Sequence, residues 1–314
     1  MLDQRAADPV AAAFGLGPNP RLRGPVARGE QGLLWELITD DGRFAVKALL
    51  ERTVEAEVRE DAAFQDAAVA AGILAPPIRR TAEGDVLLDL DGTPVRAYGW
   101  VDLHDRDPGI DAGAVGALVA SLHRLGYVGT NPTDPWYVDP VGTPRWDELV
   151  AAVRAADAAF AEPLAAYRDE LVAMEALLEP PRDLITCHRD LWADNVRATP
   201  DGSLAVIDWE NGGLADPSQE LALVLFEYAD ADAHRAEALS RAYRDAGGPG
   251  HVRDRGAFAM VIAQLGHIAE WALERWLEAE EPGERDRLAA LIGEVLDRPL
   301  TIAAIDQLVE AVGS

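Results

Sequence analysis

The sequence predicts an α+β protein with two lobes, a small antiparallel-sheet lobe with one helix and a larger lobe that is mainly helical. Up to about residue 101, short apolar and aromatic runs alternate with turn signals, which is typical of strands. From about residue 111 the apolar residues recur with a helical period. The chain has 314 residues, 49% of them hydrophobic, which is enough for one large or two smaller domains. We therefore predict a smaller lobe over 1–101 and a larger one over 102–314.

The elements of the smaller lobe follow from its turn residues. Segments 32–39 and 43–50 read as strands joined by the hairpin signal "DDG". Segment 52–72 has a helical composition and ends at Gly72, a suitable C-cap. Segments 85–90 and 95–103 form another predicted hairpin around "DGTP". The lobe is thus expected to hold four or five antiparallel strands with one inserted helix.

The larger lobe is predicted to be a series of helices with one interruption. Helical periodicity extends over 111–126, 145–179, 217–231, 234–247 and 255–281, with more helix from 284 to 312. An island at 184–217 instead has short apolar runs and the turn "PDG". We expect a small hairpin set among the helices there.

The composition indicates which ligands and which cellular compartment to expect. The net charge of −27 argues against nucleic-acid binding and favours cationic ligands, although an Ala-, Arg- and Asp-rich composition is also typical of a GC-rich genome. No uncharged apolar run is long enough to span a membrane, and the N-terminal segment does not resemble a secretory signal. The single cysteine, Cys187, predicts a reducing, cytoplasmic environment. Nothing in the sequence indicates a protein partner.

The island at 184–217 contains the candidate catalytic and metal-binding residues. It contains "HRDLWADN", in which Asp190 and Asn195 are separated by four residues, and Asp208 follows at the end of the apolar run "LAVID". Phosphoryl-transfer enzymes use this spacing to place one carboxylate at the acceptor hydroxyl and two oxygen ligands at Mg²⁺. Asp190 is thus the candidate catalytic base, and Asn195 and Asp208 are the candidate metal ligands. The buried-loop position of His188 suggests a supporting role.

One amine stands apart from the other basic residues. Lys47, in the predicted strand 43–50, is the only lysine of the chain, and the other 27 basic residues are arginines. A compact ammonium fits between phosphate oxygens and a carboxylate where a planar guanidinium does not. We predict that Lys47 contacts the nucleotide phosphates and pairs with a glutamate of the following helix. Glu60 is favoured, Glu57 is the close alternative, and Glu51 and Glu55 also lie in or near this helix.

Two further segments are expected to contact the nucleotide. Gly29 and Gly32, in "ARGEQGLLW" (27–35), allow close approach of the backbone to phosphates, although two glycines are a weak signal. "YGWVDL" (98–103) is expected to be the hinge between the lobes, where the backbone of Trp100 and Val101 meets the adenine.

The stretch "TCHRDLWADNVRATPDGSLAVIDWENGGLADPSQELAL" resembles the aminoglycoside phosphotransferase and choline kinase-like family, whose members are small-molecule kinases with the two-lobed protein-kinase fold. The resemblance implies ATP or GTP as donor, Mg²⁺ as the ion, and the roles given above for Lys47, Asp190, Asn195 and Asp208. It also implies a structural role for Asp216. Trp192 replaces a residue that is commonly small or His, so the acceptor pocket is expected to differ.

These features predict an ATP-dependent O-phosphotransferase for a hydroxyl of a small, positively charged molecule, antibiotic inactivation being one version. A housekeeping kinase of an amino alcohol or a sugar is the alternative, and a regulatory protein without catalysis or a metal-dependent hydrolase are other classes. The absence of a long activation segment argues against a protein substrate. Candidate acceptor-site residues are Trp192, Glu210, Glu270 and Glu274.

Overall fold

The chain divides into two compact units, each described here by itself. The computed structural model describes residues 2–29, 32–50, 54–230 and 232–313. The sheet unit comprises Met1–Asp107, Leu125–Asn131 and Ala193–Gly213, and the helical unit comprises the rest. Packing thus assigns two later segments to the sheet unit, whereas the predicted boundary near residue 101 divides the chain only once. As a boundary between independently folding domains, residue 101 stays a prediction.

The sheet unit is built on a six-stranded antiparallel sheet. Its spatial order is β1-β2-β3-β6-β4, with β5 paired to β6. The strands are β1 (Arg21–Arg28), β2 (Gly32–Thr39), β3 (Gly42–Leu49), β4 (Ile78–Arg79), β5 (Leu88–Leu90) and β6 (Thr93–Gly99). An antiparallel sheet was predicted and is confirmed. Four or five strands were predicted. Strands β1 and β4 and the N-terminal helix α1 (Ala7–Ala13) were not predicted.

Alternation of side chains gives this sheet two different faces. One face packs residues such as Trp35, Val46 and Val95 into a buried core with Val10 of α1. Because side chains alternate along a strand, the residues between them point to the opposite face. The strand register there pairs Lys47 with Leu34 on one side and with Arg96 on the other. The period-two pattern therefore collects the charged groups of β3 and β6 on one face.

A helix and a hairpin complete the sheet unit. Helix α2 (Glu55–Ala70) lies between β3 and β4 in the sequence. The hairpin consists of β8 (Val196–Ala198) and β9 (Leu204–Val206), paired antiparallel. The amide of Val206 donates to the carbonyl of Leu74 at 2.9 Å. This bond ties the hairpin to the segment after α2, and the predicted hairpin of the island is present.

The helical unit contains nine helices within the described residues. They are α3 (Ala112–His123), α4 (Pro135–Val138), α5 (Thr143–Ala155), α6 (Ala161–Glu175), α7 (Pro217–Ala229), α8 (Ala233–Asp245), α9 (Ala259–Glu278), α10 (Pro282–Asp297) and α11 (Ile302–Gly313). The short strands β7 (Ile185–Cys187) and β10 (Gly213–Ala215) pair with each other. A mainly helical second part was predicted and is confirmed.

The single helix predicted over 145–179 is wrong, because the chain breaks after α5. Asp157 has a φ of 52°, in the left-handed region. The amide of Ala158 donates to the carbonyl of Val153 at 3.0 Å, and that of Asp157 to Arg154 at 3.1 Å. This pair of bonds is the Schellman arrangement that ends a helix. Aspartate tolerates the left-handed conformation better than most residues. Pro163, in the first turn of α6, was a further sequence signal that a new helix begins there.

One helix of the described chain has the length and apolar character of a membrane span. The segment Arg255–Glu278 has a mean hydropathy of 1.3 over its most apolar stretch, and 67% of that stretch is buried inside the protein. Its buried residues include Val261, Ala269 and Leu273. The pattern fits a core helix of the helical unit.

Helix α3 packs so closely on α8 that a methyl group cannot be inserted. A Cβ on Gly116 would lie 2.2 Å from the carbonyl oxygen of Leu239. We expect Gly116→Ala to lower the free energy of unfolding by about 1–3 kcal/mol, measured by denaturant unfolding. Gly113→Ala on the same helix is the control, because its nearest contact would be a side-chain atom at 3.3 Å. Equal stability of both variants would contradict this account of the packing.

Candidate active site

Lys47 lies in an ion-pair cluster inside the sheet unit. Its Nζ donates to Asp208 Oδ1 at 2.9 Å and to Glu210 Oε2. The lysine side chain is 13% exposed. Burial alone lowers the pKa of Lys47, but the charges of Asp208 and Glu210 outweigh burial and hold the pKa above its ordinary value. The amine is therefore a fixed positive charge at neutral pH.

Asp208 lies just after strand β9, where the chain turns. It has a φ of 58° and precedes the short 3₁₀ turn Trp209–Asn211. The backbone amide of Ile207 donates to the carbonyl of Asn195 at 2.9 Å, which extends the β8–β9 pairing by one step. The hairpin thus brings Asn195 beside the residue that precedes Asp208. A carboxylate and an amide are the oxygen donors that Mg²⁺ prefers, and the Asp208 side chain is 40% exposed, so these residues fit such an ion.

Glu210 turns inward from the same 3₁₀ turn. One of its carboxylate oxygens accepts from Lys47 and the other accepts from Arg96 Nη1 at 3.2 Å. The side chains of Glu210 and Arg96 are only 8% and 2% exposed. Buried cations are costly unless a carboxylate compensates them. Glu210 supplies that compensation, and its predicted contact with the acceptor stays a prediction.

The predicted pair of Lys47 with Glu60 is absent from the structure. Glu60 Oε1 instead accepts from the Tyr127 hydroxyl at 3.1 Å and from the Thr130 amide at 2.8 Å. Glu57 is exposed, and Glu51 lies outside the described residues. The pair was predicted from the position of Glu60 on one face of α2. In the structure, the carboxylates that contact the Lys47 amine come instead from the turn after β9.

At the predicted phosphate loop, Gly32 lies very close to strand β3 and Gly29 does not. The Gly29 amide donates to the Gly32 carbonyl at 2.9 Å, and the two residues between them lie outside the described part. A Cβ on Gly32 would lie 2.9 Å from the Ala48 carbonyl and 3.0 Å from the Lys47 Cε. Only glycine permits this approach, whereas a Cβ on Gly29 would meet nothing closer than 3.9 Å.

At the predicted hinge, Trp100 is half-buried and its indole is held by neighbours. Its amide donates to the Arg43 carbonyl at 3.2 Å, and its Nε1 donates to Asp102 Oδ1 at 2.9 Å. The Arg43 guanidinium lies 4.6 Å from the ring centroid. Val101 is also half-buried. Contact of either residue with adenine stays a prediction.

Asp190 belongs to the helical unit and follows a strained residue. Arg189 has a φ of 64°, which is unusual for a residue with a long side chain. Its Nη1 donates to the Pro132 carbonyl at 3.0 Å, and its guanidinium lies 4.6 Å from the centre of the Tyr137 ring. Gln264 of α9 donates to the Asp190 carboxylate at 3.4 Å. Strain held by surrounding contacts is typical of functional loops.

A buried carboxylate fastens the same loop from behind. Glu220 of α7 accepts from the Arg189 amide and bonds His123 Nε2 at 2.6 Å. Burial alone raises the pKa of Glu220, but His123 holds it below its ordinary value. The other nitrogen of His123 lies 2.7 Å from the Tyr243 hydroxyl. Cys187, His123 and Glu220 place ligand atoms within 4.8 Å, but these hydrogen bonds already account for the imidazole and carboxylate.

A protein-family model matches most of the chain. The model of the phosphotransferase enzyme family matches residues 24–258. The chain belongs to this family. It is therefore a small-molecule kinase.

Several solved structures share the fold of this kinase. A spectinomycin phosphotransferase in complex with ADP and spectinomycin has a TM-score of 0.71 at 12% identity and covers 99% of this chain and 98% of its own. An aminoglycoside phosphotransferase from Alicyclobacillus acidocaldarius has a TM-score of 0.62 at 19% identity, covering 100% and 97%. A choline/ethanolamine kinase family protein from Mesorhizobium loti has a TM-score of 0.57 at 17% identity, covering 98% of each. The predicted protein-kinase-like fold is confirmed. A comparison with curated proteins gave no significant match.

The candidate acceptor residues of the helical unit are already engaged with other side chains. Arg145 donates to Glu270 Oε1 at 2.8 Å and also to Glu274. Trp192 of the kinase packs edge-on to Phe226 at 6.3 Å between ring centroids. Arg145 thus partly balances the negative charge of Glu270 and Glu274 on α9. This balance weakens the prediction that these two carboxylates attract an amine.

Sequence reasoning missed several residues of this site. Arg96 carried a signal, because it is a charge in the middle of the apolar strand "VRAYG". Glu220 follows the predicted structural Asp216 by one helical turn, and Asp216 caps α7 by accepting from the Ser218 amide at 2.8 Å. Gln264 gave no signal, since one polar residue on a long helix is common.

Proposed function

We propose that this kinase transfers the γ-phosphoryl group of ATP to a hydroxyl of a small molecule. The observation that supports the proposal best is the bond between Lys47 and Asp208, two residues that are 161 positions apart in the sequence. Asn195 lies beside the same hairpin end. A lone lysine, a turn aspartate and an asparagine form the nucleotide half of a phosphotransferase site. GTP remains an alternative donor.

The proposed roles follow from charge and exposure. Lys47 binds phosphate oxygens as a permanent cation. Asn195 and Asp208 would hold Mg²⁺, which supplies neutralisation of the phosphate charge when it is bound. Asp190, next to the strained Arg189, orients the acceptor hydroxyl and accepts its proton. Together these side chains position the reactants and balance charge, which is the main task in phosphoryl transfer.

The acceptor is proposed to be a hydroxylated molecule with positive charge. The net charge of −27 supports it only weakly, because composition explains most of that charge. Spectinomycin phosphotransferase and an amicoumacin kinase share the fold, which makes inactivation of an antibiotic the first version of the proposal. The fold shared with choline/ethanolamine kinases supports an amino alcohol or sugar kinase as the second. A cytoplasmic location fits a donor such as ATP.

The lone lysine offers a direct test of nucleotide binding. An amine-directed acylating ester can label only one side chain, Lys47, and peptide mapping can quantify it. At a concentration of Mg²⁺ and a non-hydrolysable ATP analogue ten times the Kd, we expect labelling to slow about tenfold by mass action.

A reference amine controls for changes in the reagent. In an Arg154→Lys background, the introduced amine replaces a side chain that is 49% exposed, and the nucleotide should not protect it. Equal labelling of Lys47 with and without nucleotide would contradict the proposed nucleotide site.

An acceptor panel tests the reaction itself. We expect ATP consumption to depend on one class among aminoglycosides, macrolides, peptide antibiotics, amino alcohols and sugars. Mass spectrometry should show one phosphoryl group added to that acceptor. ATP hydrolysis at the same rate with no acceptor would instead indicate a hydrolase, and no turnover with any acceptor despite nucleotide binding would favour a silent regulator.

A further inference from the structure

We propose that Glu210, and not a glutamate of α2, is the positioning residue for Lys47, and that Arg96 holds Glu210 in place. The inference rests on the proposed function, because it assigns a role within the same nucleotide site. It adds two residues, Glu210 and Arg96, to that site and takes Glu60 out of it.

The carboxylate of Glu210 bridges two cations, one to each oxygen. Oε2 accepts from Lys47, and Oε1 accepts from Arg96 Nη1 at 3.2 Å. All three side chains are largely buried, with exposures of 13% for Lys47, 8% for Glu210 and 2% for Arg96. Asp208, the other partner of Lys47, is 40% exposed. Glu210 is therefore the enclosed partner, and Asp208 is the partner that solvent reaches.

Arg96 is buried beside Lys47 on the neighbouring strand of the sheet. It is the direct neighbour of Lys47 on the adjacent strand, in the register Lys47↔Arg96. Its guanidinium lies 5.3 Å from the centre of the Tyr98 ring, and the negative charge of Asp61 also acts on it. Two of its nitrogens, Nε and Nη2, are buried without a hydrogen-bond partner. Among the described residues, Glu210 accepts the hydrogen bond that this guanidinium donates, so the loss of Glu210 would leave a buried charge without compensation.

Helix α2 supports the turn that carries Glu210 through ring packing and through hydrogen bonds made by Asn131. Phe64 lies edge-on to Trp209 at 5.2 Å between ring centroids. A Cβ on Gly212 would lie 3.1 Å from the Phe64 ring. Asn131 donates to both Asp61 Oδ1 and the Gly212 carbonyl at 3.1 Å. The helix thereby sets the position of the turn, and the turn sets the position of Lys47.

This arrangement leaves Asp208 available for another task. Lys47 has two carboxylate partners, and Glu210 alone can retain it when Asp208 binds a metal ion. Without Glu210, the amine would keep Asp208 as its only carboxylate partner within the described part of the chain. The ion would then compete with Lys47 for the same oxygen. Glu210 therefore separates the lysine function from the metal function.

The test compares nucleotide affinity with and without Mg²⁺. Calorimetry gives the Kd of a non-hydrolysable ATP analogue in both conditions, without any acceptor. The readout is the ratio of the metal-free Kd to the Kd with Mg²⁺. We expect Glu210→Gln to lower this ratio at least about tenfold relative to wild type, the range expected when one partner of a buried charge pair is removed. Glu60→Gln should not lower it.

A matched control separates this effect from general destabilisation. Glu227→Gln removes another buried glutamate that pairs with an arginine, Arg298 at 3.1 Å, in the helical unit. Its side chain is 2% exposed, so its loss should lower thermal stability without changing the ratio. If Glu210→Gln does not fold, Glu210→Asp retains the charge with a shorter reach and should give an intermediate ratio.

The outcomes distinguish the two proposals. A ratio that falls in Glu60→Gln but not in the Glu210 variants overturns this inference in favour of the helix glutamate. A wild-type ratio in both Glu210 variants also overturns it. Failure of the wild-type protein to bind any nucleotide would instead overturn the proposed function. A wild-type ratio in Glu227→Gln with a lowered ratio in Glu210→Gln supports the inference.

Discussion

Replacing Asp190 with asparagine should lower kcat by about 10²–10⁴-fold, the usual contribution of a positioned acid or base. Asparagine keeps the size of the side chain but cannot accept the hydroxyl proton. Nucleotide affinity should stay almost unchanged, because Asp190 is not one of the proposed nucleotide or metal ligands. Steady-state kinetics with the acceptor found in the panel, together with calorimetry of the ATP analogue, measure both quantities.

The same loop offers a matched control for this variant. Asp194 is four residues further on, its side chain is 65% exposed, and it pairs with Arg106 at 3.1 Å. Asp194→Asn therefore removes an equal charge from the loop without removing a group assigned to the chemistry. Turnover of Asp190→Asn at the level of Asp194→Asn would exclude Asp190 as the base.

A smaller loss would have a different cause. Gln264 donates to Asp190 at 3.4 Å and to the Arg189 carbonyl at the same distance, so it helps orient the carboxylate. Substitution of a residue that acts only through another is expected to cost less than removal of the base itself. A comparison of the two variants therefore tests whether proton transfer or loop geometry limits the rate.

The motif residues could be predicted from sequence because their spacing is local. Asp190, Asn195 and Asp208 lie within one island, and the short hairpin β8–β9 connects the last two. The two-residue alternation of strands also explains why Lys47 points away from the apolar core. Local periodicity and turn chemistry were sufficient for these parts of the site.

The partners of Lys47 could not be predicted in the same way. A helical face gives the direction of Glu60 relative to α2, but not which strand residue it meets. In the structure, Glu60 instead accepts hydrogen bonds from Tyr127 and Thr130. The sequence gave no indication that their segment contacts α2. Register across β3 and β6, which places Arg96 beside Lys47, is a long-range property that no single motif encodes. The contacts of Glu210 with Lys47 and Arg96 were not predicted for the same reason.

The final prediction concerns the shape of the cation at position 47. Lys47→Arg should lower kcat/KM for ATP at least about 100-fold although the charge is preserved, because a planar fork does not replace a compact ammonium at a fitted site. Lys47 is 13% exposed, and its Cε lies 3.0 Å from where a Cβ on Gly32 would be. The guanidinium would need space that the Gly32 backbone occupies. Its N–H donors would also be distributed over three nitrogens, whereas the single Nζ of lysine now donates to both Asp208 and Glu210.

Lys47→Met separates charge from shape. If shape decides, Lys47→Arg will resemble Lys47→Met in kcat/KM and in the effect of Mg²⁺ on nucleotide affinity. If charge alone decides, Lys47→Arg will resemble the wild type, and the use of one lysine in a chain of arginines will have no structural explanation. Thermal unfolding of both variants provides the control, since Lys47→Met leaves Glu210 with Arg96 while Lys47→Arg adds bulk beside Gly32. A normal melting temperature combined with lost turnover in Lys47→Arg would place the defect in the site and not in the fold.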